Sequence, residues 1–335
     1  MLKSSESRIL VTGGAGFIGS ALIWELNRRG CENILVSDRL CTDEKWKNLV
    51  PLRFHDYIDG IDLENKVRTA PETLGKFDVI FHLGACSATT EKDADYLMRN
   101  NYEFTKILAE WSLSKNTRFV YASSAATYGD GALGMDDQMV DLHRLRPLNM
   151  YGYSKHLFDL HAQRTGMLRR IVGMKYFNVY GPNEDHKADM RSVVHKAYGQ
   201  ILQTDKVQLF KSNRPDFKDG EQMRDFLYVK DAIRMTLHLA SEPLASGLYN
   251  LGSGQAHTWV QLVQAIFAAL GRAPNIEFVE MPEHLKSKYQ YYTCADVSKL
   301  IKSGYKQPLF TLADAVRDYV QGYLIGDKRL GDEII

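Results

Sequence analysis

The sequence has few cysteines, no excess of charge of either sign and no long apolar run. Its four cysteines, Cys31, Cys41, Cys86 and Cys294, lack the spacing of metal ligands, so we expect reduced thiols and no metal site. The 42 basic and 41 acidic residues nearly cancel, which argues against nucleic acid or a membrane surface as a partner. No run approaches the ~20 apolar residues that span a bilayer, and the polar start predicts no signal peptide. We therefore expect a cytoplasmic protein.

Apolar strand-like runs alternate with stretches of helical periodicity along most of the 335 residues. This alternation predicts an α/β fold, a doubly wound parallel-sheet Rossmann domain with a smaller α/β substrate-binding lobe. Residues 1–178 and 222–254 are assigned to the dinucleotide-binding domain, and residues 179–221 and 255–335 to the lobe. Within the lobe we expect a helix at 259–270, a strand at 276–279, a helix near 312–323 and a frayed tail at 326–335.

A glycine-rich turn follows the first predicted strand, Ile9-Leu10-Val11, and precedes a helical stretch. Gly13, Gly16 and Gly19 form the pattern Gly-x-x-Gly-x-x-Gly. Glycines let such a turn close tightly and bring backbone N–H groups to a diphosphate at the start of the helix. Because the pattern lies between a strand and a helix, it predicts dinucleotide binding.

The end of the second predicted strand leaves the choice of dinucleotide open. Asp38 lies about 20 residues beyond the last glycine, where a carboxylate usually binds the ribose hydroxyls of NAD. Arg39 and Lys45 follow, and cations suit the additional phosphate of NADP. Both could equally be solvated surface charges.

Tyr151 and Lys155 are the candidate proton-transfer pair. Their spacing of four puts both on one helix face, where a cation favours the phenolate of a neighbouring tyrosine. Ser124 ends a predicted strand, Arg118–Ser124, and would point toward the cleft at the carboxyl ends of the strands. By itself the tyrosine–lysine spacing occurs by chance in many helices, and the serine could be a simple cap. Together the three supply an orienting hydroxyl, an acid/base and a cation.

In combination these motifs resemble the extended short-chain dehydrogenase/reductase superfamily. The residues that carry the resemblance are Thr12–Gly19, Ser124, Tyr151 with Lys155, Arg224–Asp231 and Tyr249–Gly254. The resemblance implies an enzyme that acts on nucleotide-linked sugars through a bound nicotinamide cofactor. An NAD-dependent C4 epimerase and a 4,6-dehydratase remain alternatives, although Asp136-Asp137 does not match the acidic pair of dehydratases. A non-catalytic cofactor-binding protein is a further alternative, but such proteins commonly lose the tyrosine or the serine.

A narrower resemblance, to the ADP-L-glycero-D-manno-heptose 6-epimerases, covers nearly the whole chain. It is carried by the segments 83–91, 147–155, 176–187 and 288–290. It implies inversion of C6 in ADP-D-glycero-D-manno-heptose by way of a 6-keto intermediate. It further implies NADP rather than NAD, a homo-oligomer of pentameric form, and Lys187 as a second acid/base opposite Tyr151.

The resemblance also implies the residues that contact each ligand. For the cofactor they are Gly13, Gly16, Phe17, Ile18, Gly19, Asp38, Arg39, Lys45, Leu83, Gly84, Ala85, Cys86, Ser87, Asn100, Lys155, Val179 and Lys187. For the substrate they are Ser124, Asn178, Asp189, Lys196, Phe210, Arg224 and Tyr289. The chain departs from the pattern at Asp189, at Lys196, at residues 211–213 and through an insertion around residues 215–222, all in the substrate half.

Overall fold

A computed structural model describes residues 6–286 and 289–332. Its β-strands, in chain order, are β1 (Ile9–Thr12), β2 (Ile34–Asp38), β3 (Asp56–Asp59), β4 (Val79–His82), β5 (Arg118–Ser124), β6 (Val172–Tyr176), β7 (Asn178–Tyr180), β8 (Val207–Phe210), β9 (Met223–Tyr228), β10 (Gly247–Leu251), β11 (Ala256–Thr258) and β12 (Ile276–Val279). The strands β1, β4 and β6 are buried along their whole length, as expected of strands that are covered on both faces.

The helices cover this sheet and complete the lobe. The α-helices are α1 (Phe17–Arg28), α2 (Gly60–Thr69), α3 (Ala94–Leu97), α4 (Phe104–Ser114), α5 (Met150–Arg164), α6 (Val193–Thr204), α7 (Val229–Ser241), α8 (Trp259–Ala269), α9 (Glu283–Lys286), α10 (Ser298–Lys302) and α11 (Leu312–Tyr319). Short 3₁₀ turns lie at Lys45–Leu49, Pro71–Leu74, Ala125–Tyr128, Leu142–Arg144, Met167–Arg169 and Asp185–Met190, and π-helical turns at Met98–Glu103 and Val320–Leu324.

The main sheet has seven parallel strands in the order β10-β6-β5-β4-β1-β2-β3. The order reverses between β1 and β4, where Ile9 pairs with Ile34 on one side and with Val79 on the other. Ligands of doubly wound sheets bind outside the carboxyl ends of the strands at such a reversal. The predicted Rossmann fold class is therefore confirmed.

Two small sheets lie beyond the main one. The first has the order β11-β9-β7, with β9 parallel to β7 and antiparallel to β11, and the second pairs β12 with β8. One hydrophobic core, which includes Ile23, Ile233 and Phe267, runs from the main sheet through α1 and α7 into α8. The division into two domains stays a prediction, although β9 belongs to a small sheet and β10 to the main one.

Most local predictions agree with the structure. The strands at 118–124 and 276–279 have the predicted bounds, and the predicted helix at 259–270 is α8. The frayed tail is wrong for residues 326–332, because Leu330 is fully buried and its backbone N–H donates to Asn183 Oδ1 at 3.0 Å. Residues 333–335 lie outside the described part of the chain. In the described segments we find no helix that is both long and apolar enough to span a membrane.

Candidate active site

A cleft of about 720 Å³ opens at the carboxyl ends of β1, β2, β4 and β5. It brings together most of the residues singled out from the sequence. These are Gly13, Gly16, Phe17, Ile18, Gly19, Asp38, Lys45, Leu83, Gly84, Ala85, Cys86, Ser87, Ser124, Tyr151, Lys155, Asn178, Val179 and Lys187. Seven others are not among its lining residues: Arg39, Asn100, Asp189, Lys196, Phe210, Arg224 and Tyr289.

Gly13 and Gly19 of the glycine turn are packed too tightly to carry a side chain. Gly13 has a φ of +67°, and a Cβ there would lie 2.6 Å from the backbone N of Gly84. A Cβ on Gly19 would lie 2.0 Å from the carbonyl O of Gly13. The turn therefore presents bare backbone at the start of α1, where N–H groups and the helix dipole favour an anion. This cradle fits the diphosphate of a dinucleotide.

Asp38 has its negative charge largely compensated. Its carboxylate accepts a hydrogen bond from the backbone N–H of Ala15 at 2.9 Å, and Lys45 Nζ lies 3.2 Å from it. The Arg39 backbone N–H donates to the same carboxylate, whereas the Arg39 guanidinium points to Glu64, 3.8 Å away. The ammonium of Lys45 thus lies beside Asp38, the residue at which the sequence alone left the choice between NAD and NADP open.

Asn101, rather than Asn100, fixes the loop after β4. The Asn101 amide is fully buried, accepts from the backbone N–H of Cys86 at 2.9 Å and donates to its carbonyl at 3.0 Å. Asn101 also donates to the hydroxyl of Ser154 on α5, at 3.0 Å. Asn100 only donates to the side chain of Asn101. This clamp joins the small-residue loop to the helix that carries Tyr151.

Helix α5 carries both Tyr151 and Lys155 and fixes their relative position. Asn149 caps its start by accepting from the Gly152 N–H at 2.8 Å, so Tyr151 lies in the first turn and Lys155 one turn later. Ser124, the last residue of β5, hydrogen-bonds with the phenol of Tyr151. Ser124, Tyr151 and Lys155 all line the same cleft.

Burial has the largest effect on the pKa values of both groups. Burial raises the pKa of Tyr151, and the hydrogen bond from Ser124 only partly opposes it. Burial also lowers the pKa of Lys155 to about 8, against an opposing effect of Asp159. Desolvation therefore disfavours charge on both groups, and the influence of Lys155 on the phenolate stays a prediction.

Lys187 enters the cleft from the loop after β7. Its ammonium lies 5.2 Å from the ring centroid of Phe17, and burial lowers its pKa. The buried carboxylate of Glu184 anchors the loop by accepting from the backbone N–H and hydroxyl of Ser192, each at 2.6 Å. Ala188, next to the lysine, has a φ of +46°, a conformation that costs about 1–3 kcal/mol and persists at sites held by their surroundings.

Three predicted substrate residues cluster beside the cleft rather than on its lining. The Arg224 guanidinium lies 5.3 Å from the ring of Tyr289 and 5.7 Å from that of Trp259, which does line the cleft. The ring of Phe210 lies 6.5 Å from that of Tyr289. Arg224 is nearly fully buried, and desolvation lowers its pKa. Lys288, part of the motif with Tyr289, lies outside the described residues.

Two other predicted substrate residues are exposed. Asp189 follows Lys187 in its loop and Lys196 lies on α6, and Lys196 Nζ donates to the carbonyl of Asp189 at 2.5 Å. Asp137 of the acidic pair is buried against β10, where its carboxylate accepts from the Asn250 N–H at 2.7 Å, and it is absent from the cleft lining. This placement disfavours a dehydratase.

Several lining residues were missed from the sequence. Tyr96, His186, Arg191, Ser192 and Trp259 all line the cleft. His186 precedes Lys187 in the Gly-Pro loop, which was a usable signal. The others lie on elements that read as ordinary helices and loops, so no local pattern marked them. Residues 6–286 and 289–332 contain no group of three or more acidic, histidine or cysteine side chains arranged for a metal ion.

Comparison with known proteins decides the family. Residues 9–252 match the NAD dependent epimerase/dehydratase family. The chain belongs to this family. The chain is 51% identical to an ADP-L-glycero-D-manno-heptose-6-epimerase of Nitratidesulfovibrio vulgaris strain Hildenborough over 94% of this chain and 97% of the relative. It is 43% identical to the enzyme of that name from Fusobacterium nucleatum, over 94% and 98% of the two chains.

A solved structure agrees with these relatives. The crystal structure of the Helicobacter pylori ADP-L-glycero-D-manno-heptose-6-epimerase superposes with a TM-score of 0.76 at 28% identity, over 96% of both chains. A UDP-N-acetylglucosamine 4-epimerase from Methanobrevibacter ruminantium has a TM-score of 0.80 at 22% identity and shares the fold. The predicted resemblance to the heptose epimerases is confirmed, and the family uses a nicotinamide dinucleotide.

Proposed function

We propose that this protein inverts C6 of the heptose in ADP-D-glycero-D-manno-heptose to give the L-glycero epimer. The observation that carries the proposal is the 43–51% identity to enzymes of that name over more than nine tenths of the chain. The cleft supports it with acid/base candidates on two separate elements, Tyr151 on α5 and Lys187 in the loop after β7. An epimerase whose ketone turns before it is reduced again can use a second proton donor on the other side of the site.

NADP is the proposed cofactor. When bound, it supplies the acceptor and donor of the hydride at C6. The glycine turn at Gly13 would hold its diphosphate, and the loop at Leu83–Ser87 would pass close to it. Because Lys45 already compensates the charge of Asp38, a further phosphate on the ribose would meet a cation rather than a free carboxylate.

In this proposal, side chains of the protein itself carry out the proton transfers. Ser124 orients the C6 hydroxyl, and Tyr151 as phenolate accepts its proton while the carbinol becomes a ketone. Burial raises the pKa of Tyr151. The ammonium of Lys155, one helical turn later on α5, would offset part of this effect and favour the phenolate. After the ketone turns over, the oxygen faces the other side, where Lys187 donates the proton.

The decisive test is incubation of purified protein with ADP-D-glycero-D-manno-heptose and chromatographic separation of the C6 epimers. We expect an equilibrium mixture of both epimers from either starting compound. Parallel incubations with UDP- and dTDP-hexoses test the C4 epimerase and 4,6-dehydratase. Conversion of those sugars without conversion of the heptose would refute the proposal. We also propose a homo-oligomer, a pentamer by resemblance, which light scattering coupled to size exclusion would measure.

A further inference from the structure

Asn48 is a buried amide that lies between the glycine turn and the loop of Lys187. It belongs to the 3₁₀ turn Lys45–Leu49, and only 2% of its surface is exposed. Its side-chain NH₂ group donates to the carbonyl of Ala15 at 3.0 Å and to that of Asn183 at 3.1 Å. Ala15 is part of the glycine turn, and Asn183 is part of the loop that carries Lys187. One side chain thus bonds to both segments.

The orientation of the Asn48 amide is fixed by its partners. Backbone carbonyls can only accept hydrogen bonds, so the group that faces Ala15 and Asn183 has to be the NH₂. The same nitrogen lies 3.3 Å from Nδ1 of His186, the residue before Lys187. Because an NH₂ group can only donate, this ring nitrogen accepts and carries no proton, and burial lowers the pKa of His186 in agreement with a neutral ring. Asn48 therefore holds the loop at two points.

The other contacts of this loop lead to the surrounding helices. The Asn183 side chain donates to Ser20 Oγ on α1 at 3.0 Å. The Glu184 carboxylate accepts from Ser192 at the start of α6, and from the Tyr319 hydroxyl on α11 at 3.0 Å. These bonds set the loop against the outer layer of the fold, whereas the bonds of Asn48 set it against the turn that would hold the dinucleotide.

The position of the Lys187 ammonium depends on that second attachment. Lys187 Nζ lies over the ring of Phe17, the first residue of α1 after the glycine turn. The next residue, Ala188, has a φ of +46°, and strain of this kind persists only while the surroundings hold it. A loop released from the turn can therefore relax and carry the ammonium with it. A displacement of about 1 Å from the productive geometry can cost about 100-fold in rate.

We infer that Asn48 is a positioning residue, which holds the loop of Lys187 against the glycine turn and so fixes the second acid/base relative to the dinucleotide. The inference rests on the proposed function, in that Lys187 serves there as an acid/base. Asn48 is not among the residues that line the cleft, so it acts through its partners and not on a ligand.

The first test measures turnover of ADP-D-glycero-D-manno-heptose at saturating dinucleotide. Asn48→Ala should lower kcat by about 10- to 100-fold, with KM for the heptose within about a factor of two of wild type. Asn48→Ser keeps one donor and should lose less. The matched control is Asn27→Ala, because the Asn27 amide also donates to two carbonyls, those of Cys31 at 3.0 Å and Arg53 at 2.8 Å, at the far end of α1. This control should keep the wild-type kcat.

A double-mutant cycle separates positioning of Lys187 from a general loss of structure. If Asn48 acts through the lysine, Asn48→Ala should change kcat by less than about twofold in a Lys187→Met protein, where there is no ammonium left to misplace. Losses that multiply in the double variant would overturn the inference, because they would show that Asn48 supports catalysis by another route.

Hydrogen exchange of the intact protein, followed by mass spectrometry, tests the same idea without a substrate. Residues 184–192 should exchange faster in Asn48→Ala than in wild type, and at the wild-type rate in Asn27→Ala. Unchanged exchange of this segment would overturn the inference. Should Asn48→Ala not fold, Asn48→Ser takes its place in all three measurements. If the wild-type protein does not epimerise the heptose, the proposed function fails, while the exchange rates still decide whether Asn48 holds the loop.

Discussion

The ammonium of Lys175 on β6 lies 2.9 Å from Oδ2 of Asp159 on α5, and both side chains are fully buried. The hydroxyls of Tyr121 and Ser123 donate to the same carboxylate, each at 2.8 Å. Asp159 follows Lys155 by one helical turn. Its carboxylate raises the pKa of Lys155 and so opposes the effect of burial. The buried pair therefore lies directly under the proton-transfer residues and fixes β5, β6 and α5 to one another.

Lys175→Met should destabilise the fold by about 3–5 kcal/mol, because it leaves the buried Asp159 carboxylate without a counterion. Urea denaturation followed by circular dichroism measures the free energy of unfolding. Lys206→Met, at an exposed ion pair with Glu277, should cost less than about 1 kcal/mol. An equal effect of the two substitutions would show that the buried pair is not needed.

Tyr151→Phe should lower kcat for epimerisation by about 100-fold or more, because the variant has no group to exchange the proton of the C6 hydroxyl on this side of the site. The hydrogen bond with Ser124 is lost as well, but the ring keeps its packing. ADP affinity should stay within about a factor of two of wild type, since the phenol is remote from the nucleotide. A variant that retained a tenth of the wild-type rate would exclude Tyr151 as the essential base.

Lys187→Met should lower the rate of epimerisation in both directions by about 100-fold, because the ketone can then be protonated from one side only. The measurement starts from each C6 epimer in turn and follows the appearance of the other. Lys206→Met again provides the control for loss of a lysine. Near-normal turnover of the Lys187 variant would refute a mechanism with two acid/base groups.

Lys45→Ala should weaken NADP binding about tenfold, through loss of one charge-assisted contact. NAD binding should change little or improve, because the Asp38 carboxylate is released for the ribose hydroxyls. Fluorescence titration with each reduced dinucleotide measures both affinities. Lys47→Ala, in the same 3₁₀ turn but paired with Glu44, is the control. Equal losses for NADP and NAD would contradict a role in recognising the phosphate.

His82 should make the fold sensitive to acid. Its ring bonds to the hydroxyls of Thr12 at 2.7 Å and Thr105 at 2.8 Å, and burial lowers its pKa to about 3. The unfolded chain takes up this proton near pH 6.5, so stability is full above that pH and is lost as pH falls toward 3. Between pH 7 and pH 5 the loss from this group is about 2 kcal/mol.

The comparison that isolates this effect uses His82→Gln. Urea denaturation at pH 7 and at pH 5 should give a smaller pH-dependent loss for the variant than for wild type. Burial also lowers the pKa of His156, to about 4, so some acid sensitivity remains in both proteins. An identical pH dependence of wild type and variant would show that His82 is not the responsible group.

Local patterns in the sequence determined the elements and the paired residues on them. The strand, glycine turn and helix at Ile9–Arg28 are contiguous, and Tyr151 and Lys155 are one helical turn apart, so periodicity alone brings these groups together. The strand 118–124 likewise has its predicted bounds, and Ser124 at its end reaches the same cleft. These features depend on neighbours along the chain.

Tertiary structure alone decided the surroundings of those groups. Lys45 pairs with the carboxylate of Asp38, and the side chain of Asn101 accepts from the backbone N–H of Cys86. The backbone N–H of Leu330 in the tail donates to Asn183. No sequence motif links the two residues of any of these contacts. Burial then shifted the pKa of Tyr151 upward, against the expectation from its lysine. Desolvation depends on everything packed around a side chain, so spacing along the sequence could place the pair but could not set its charge.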